Sequence, residues 1–135
     1  MKSLVVDDEF VPRMVLQRIL QAYGPCDAAS NVAEALMAMR HALEVKEPYQ
    51  LICLDIEMPD GSGQDLLQEI RRLEAAASTI ADEIQSRVLM ASSRSEADQV
   101  KNAFHNGANG FLVKPVDLER LKKKLRELSL ISDAS

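Results

Sequence analysis

Apolar residues along this chain follow two rhythms in alternation. Short, mostly apolar runs have the length of buried strands: Leu4-Val5-Val6, Cys26 to Ala29, Leu51 to Leu54, Arg87 to Ala91 and Gly110 to Val113. Between them, apolar positions recur three and four apart, the repeat of a helix with one buried stripe. Val11, Val15, Leu16, Ile19, Leu20 and Tyr23 predict the first helix, with Pro12 tolerated in its first turn and Gly24-Pro25 as its stop. Asn31 with Glu34 resembles a capping box ahead of Val32, Ala35, Leu36, Met39 and Leu43, where the methionines read as core filler. The turn formers Met58-Pro59-Asp60-Gly61-Ser62-Gly63 predict a loop, and Leu66, Leu67, Ile70 and Leu73 a third helix.

The fourth helix is expected to be capped by Ser95 with Asp98, to carry Ala97, Val100 and Phe104, and to end at Gly107. Asp117 caps the fifth, whose stripe is Leu118, Leu121, Leu125 and Leu128; Lys122, Lys123, Lys124 and Arg126 then fall mostly on its solvated face. Ala75 to Ser86 is too long for a plain connection: either the third helix runs on through the alanines or, the reading favoured, Thr79 with Asp82 caps a short extra helix containing Ile80 and Ile84. Five strands alternating with five helices imply an α/β doubly wound five-stranded parallel sheet, covered on both faces as a three-layer sandwich. With 135 residues the economical division is one domain, 1–131, and a short tail, 132–135.

Composition narrows the function classes. A formal net charge of −5 argues against a direct nucleic-acid surface. No run approaches the roughly 20 apolar residues of a membrane helix, and Met1-Lys2-Ser3 does not read as a signal peptide, so a cytoplasmic protein is expected. Cys26 and Cys53 read as buried free thiols. His41 and His105 lack companions at metal-ligand spacing and read as structural or solvent-facing.

The candidate chemistry lies where three of the runs end. Asp7-Asp8 follows the first, Asp55 ends the third, and Lys114-Pro115 follows the fifth. Each alone is an ordinary loop or capping residue. In a parallel sheet these ends share one edge, where open α/β folds bind ligands. Three carboxylates without a cation would repel, and magnesium suits them, because it takes one or two carboxylates and keeps several waters. Asp8 and Asp55 are assigned as direct ligands and Asp7 through water. Aspartate is a competent nucleophile toward phosphorus; Lys114 would neutralise phosphoryl oxygens and the Ser92 hydroxyl would complete the cradle.

Val5-Val6-Asp7-Asp8-Glu9, Leu54-Asp55-Ile56-Glu57-Met58-Pro59, Leu89-Met90-Ala91-Ser92 and Asn109-Gly110-Phe111-Leu112-Val113-Lys114-Pro115 together resemble the receiver domain of two-component response regulators, over essentially the whole chain. The resemblance implies a flavodoxin-like fold of the stand-alone, chemotaxis-regulator type. It further implies that Asp55 accepts a phosphoryl group from a histidine kinase or a small acyl phosphate, with Mg2+. It makes the main-chain carbonyl of Glu57 a third metal ligand, Lys114-Pro115 a cis bond, Ser92 and Phe111 the switch residues, and Ser95 to Leu128 the target-binding surface. Gly61 and Ser62 depart from the family pattern, and Gly61 is expected to loosen its loop. Glu57 and Arg94 are expected to pair over the phosphoryl group and tune its lifetime.

The expected function is therefore a phosphorylation-activated signalling switch that catalyses only its own phosphorylation and dephosphorylation. Two alternatives stay open: a phosphorelay intermediate that passes its phosphoryl group to a histidine phosphotransfer protein, and an aspartyl-phosphate phosphohydrolase. The kinase, the target and any phosphorylation-dependent homodimer are not legible in the sequence.

Overall fold

The computed structural model describes residues 1–77, 85–94 and 96–132. Its strands β1 (Ser3–Val6), β2 (Cys26–Ala29), β3 (Leu51–Asp55), β6 (Arg87–Ser92) and β7 (Gly110–Val113) form one parallel sheet in the order β2-β1-β3-β6-β7. Two more strands, β4 (Glu57–Met58) and β5 (Gly61–Ser62), make a small antiparallel hairpin where the turn formers predicted a loop. The helices are α1 (Phe10–Gln21), α2 (Val32–Glu44), α3 (Gly63–Ala77), α4 (Ala97–His105) and α5 (Leu118–Glu127). Together they make the doubly wound sandwich that the alternation implies.

Alternate residues of each strand serve opposite cores, as a pleat requires. Leu4, Val6, Ile52, Leu54, Val88 and Met90 pack with α2, α3 and α4, while Val5, Leu51, Cys53, Leu89 and Leu112 pack with α1 and α5. Hence the central strands are apolar between their ends, with no polar face to present to water. Leu121 and Leu125, one turn apart on α5, are fully buried; each contributes about 1.5–3 kcal/mol by leaving water.

Helix boundaries follow from local chemistry. Asn31 Oδ1 accepts from the Glu34 amide at 2.8 Å, whereas the Glu34 carboxylate reaches back to Ser30 rather than to Asn31. Asp117 Oδ1 accepts from the Glu119 amide at 2.8 Å, a cap for α5. The N-cap of α4 is Glu96, with no side-chain cap bond, and Ser95 lies outside the described residues. Helix α3 continues through Ala75 to Ala77; the turn expected around Thr79 and Asp82 also lies outside them.

Several stripe positions are not core. Val11 is 60% and Val15 45% exposed, because Leu16 and Leu20 aim at the sheet and the preceding stripe turns away by about 100°. Phe104 and Leu118 are likewise exposed, and Ala103 rather than Phe104 meets the core. Met37 is exposed while Met39 is buried, so only the second is core filler. Both cysteines are buried free thiols, with Cys53 pushed up to about 12 by burial. His41 and His105 are exposed. Among the described residues no helix is long and apolar enough to cross a membrane.

Candidate functional site

Register brings the candidate residues together. Val6 pairs with Leu54, Asp55 with Ala91, and Ser92 with Val113, so Asp7, Asp55, Ser92 and Lys114 all stand at the carboxyl edge. Asp7 and Asp55 are buried and Asp8 is exposed. Carboxylate oxygens of the three lie within 4.8 Å of one another, which suits a divalent cation held partly by protein and partly by water. The Lys114 ammonium is 3.0 Å from Asp7 Oδ2 and 2.9 Å from Asp55 Oδ2.

Charge is out of balance here. Burial, and after it the neighbouring Asp7, pushes the Asp55 carboxyl up to about 7, although its bonds to Lys114 and to the Glu57 amide oppose the rise. Burial also works against the Lys114 ammonium, yet Asp55 and Asp7 hold its pKa above the ordinary lysine value. A bound cation would remove the repulsion that the ammonium leaves uncompensated, so the donor set fits magnesium.

Backbone contacts fix Asp55. The Ile56 amide donates to the Ala91 carbonyl at 3.0 Å and the Gly63 amide to the Ile56 carbonyl at 2.8 Å. Gly63 lies so near the Asp55 main chain that a Cβ there would meet the Asp55 carbonyl oxygen at 2.3 Å, so glycine alone fits. Asp60, at the hairpin turn, accepts from the amides of Val32 and Ala33 at 2.9 and 3.2 Å, docking on the amino end of α2. Gly61 pairs within the hairpin, and the anchored turn contrasts with the looseness expected of that residue. Sequence reasoning gave Gly63 and Asp60 no role beyond turn formation. It also missed Arg13, which donates to the Asp7 carbonyl at 2.8 Å.

The Glu57 carboxylate, expected opposite Arg94, instead accepts from Ser92 Oγ at 2.6 Å. No Glu57–Arg94 ion pair is formed among the described residues; Arg94 is exposed and its amide donates to Ser92 Oγ at 3.0 Å. Phe111 is half-buried on β7, and the Lys114-Pro115 bond is cis. Beside Lys114 an apolar groove of about 420 Å3 runs past Val11, Pro12, Val15 and Val116.

A family model described as the response regulator receiver domain matches residues 3–126. The chain belongs to that family. The response regulator protein PilR of Pseudomonas aeruginosa is 36% identical over 123 residues, covering 90% of this chain and 24% of PilR, so this chain spans about a quarter of that relative. The chemotaxis protein CheY of Bacillus subtilis is 30% identical over 127 residues, covering 93% of this chain and 95% of CheY. A two-component response regulator from Clostridium difficile shares the fold with a TM-score of 0.78 at 26% identity, over 96% of both chains. This receiver domain is thus CheY-like along nearly its full length.

Proposed function

We propose that this receiver domain is a phosphorylation-activated switch in which Asp55 is the phosphoacceptor. The observation that carries the reading is the convergence on Asp55: Lys114 at 2.9 Å, with Asp7 and Asp8 alongside. An oxygen of Asp55 attacks phosphorus in a phosphohistidine or a small acyl phosphate. The new bond is an acyl phosphate on Asp55, and the donor's imidazole or carboxylate leaves with the electron pair of the broken bond. Lys114 balances charge on the transferred oxygens, and the Ser92 hydroxyl donates to one of them. Asp8, Asp55 and the Glu57 main-chain carbonyl would hold magnesium, with Asp7 acting through water, and the ion would supply further neutralisation of charge.

The partner supplying the phosphoryl group is a histidine kinase or histidine phosphotransfer protein, for which the groove beside Lys114 offers an apolar contact. The signal leaves through the region Ser95 to Leu128, with Phe111 turning inward as Ser92 moves. Intact mass after incubation with acetyl phosphate and Mg2+ tests the reading: wild type gains one phosphoryl group and Asp55→Asn gains none. An unmodified wild type, or equal labelling of both, contradicts it.

A further inference from the structure

Ser92 is wholly buried, and its hydroxyl is engaged on both sides. It donates to Glu57 Oε1 at 2.6 Å and accepts from the Arg94 amide at 3.0 Å. A serine hydroxyl carries one proton. While Glu57 holds that proton, Ser92 has nothing to donate to a phosphoryl oxygen on Asp55. The Glu57 side chain is also well placed by its backbone. Its amide donates to Asp55 Oδ1 at 3.2 Å, it pairs with Ser62 across the hairpin, and the hairpin is anchored through Asp60 on α2.

From this we infer that Glu57 is a positioning residue that latches the Ser92 hydroxyl in the resting state and thereby sets how readily the switch turns. The inference rests on the phosphoacceptor reading and adds a competitor to it. Turning on is an exchange of hydrogen-bond acceptors: Ser92 releases a carboxylate oxygen of Glu57 and donates to a phosphoryl oxygen. Both acceptors are anionic, so the exchange is closely balanced, and a small change at Glu57 shifts it. The same movement disturbs the bond from the Arg94 amide, which lies on the connection into α4. The latch therefore joins the state of Asp55 to the helix that opens the proposed output surface.

Beryllofluoride with Mg2+ serves as the probe for a phosphoryl group, measured on wild type, Glu57→Ala, Ser92→Ala and the double variant. Deleting a carboxylate also relieves simple charge repulsion, so the background decides. The latch predicts that Glu57→Ala tightens beryllofluoride binding about tenfold when Ser92 is present, the weight of one charge-assisted hydrogen bond, and less than about twofold in the Ser92→Ala background. Equal gains in both backgrounds, or none in either, overturn it.

A second readout needs neither ligand nor metal. The Arg94 amide resonance should move in Glu57→Ala and move again in Ser92→Ala, and an amide indifferent to Glu57→Ala overturns the latch directly. Wild type that binds no beryllofluoride contradicts the phosphoacceptor reading instead, so the two failures are told apart.

Discussion

Both edges of the sheet bury carboxylate against cation, yet they treat the buried groups differently. At the amino edge, Arg71 of α3 meets Glu74 Oε1 at 2.7 Å, the Ser86 carbonyl at 2.8 Å, the Gly107 carbonyl at 3.2 and 2.7 Å, and Asn109 Oδ1 at 3.0 Å. A guanidinium has five N–H groups, and each finds an acceptor. Glu74 Oε2 takes the Ser86 amide at 2.6 Å, and Asn109 Oδ1 also takes the Val88 amide at 2.8 Å. Acid and base are matched, and the bonds join α3, the start of β6 and the turn between α4 and β7. At the carboxyl edge three carboxylates crowd together beside Lys114, and Asp55 is pushed up to about 7. A closed network stabilises the fold, whereas an unbalanced one retains affinity for something that is not protein.

Breaking the closed network should have the largest effect on stability. Glu74→Ala leaves a partly buried guanidinium without its counter-charge and the buried Ser86 amide without its acceptor. We expect a loss of about 3 kcal/mol in urea unfolding. The folded fraction should still be phosphorylated at the wild-type rate, since no group at the carboxyl edge is touched. A smaller effect is expected from Asp60→Ala, which sharpens the contrast within the carboxyl edge itself. Here the support is satisfied even though the site is not. Its two hydrogen bonds from the Val32 and Ala33 amides hold the Asp60 carboxyl below its usual range. That stabilisation is present above the ordinary carboxylate pKa and disappears as pH falls through the lowered value. Hydrogen exchange at the Val32 and Ala33 amides should quicken in Asp60→Ala, with a smaller fall in unfolding midpoint than for Glu74→Ala.

Strand runs and most helix limits were readable because burial on both faces leaves unbroken apolar segments, and because Asn31 and Asp117 cap through their own side chains. The site was readable for a related reason: parallel strands bring their carboxyl ends to one edge, so residues distant in sequence could be placed together. What escaped depends on contacts between segments. The role of Gly63 comes from its approach to the Asp55 backbone, and that of Asp60 from the proximity of α2. Arg71 and Glu74 look like an ordinary helical pair three residues apart until β6 and the α4–β7 turn close over them. Glu57 was expected to meet Arg94 over a phosphoryl group, and its partner without that group, Ser92, was not foreseen.

The most direct test of an unbalanced carboxyl edge is the thermal midpoint of wild type and Asp55→Asn, with and without Mg2+, across pH. Because the folded pKa of Asp55 lies above its ordinary value of 3.8, the native state binds more protons between that value and about 7. Metal-free wild type should therefore lose stability as pH rises through this window, by an amount on the order of 1 kcal/mol after solvent screening. Above it, Asp55→Asn should melt higher than metal-free wild type, and Mg2+ should raise wild type while leaving the variant nearly unmoved. A wild type indifferent to both pH and magnesium, with Asp55→Asn no more stable, would contradict the account.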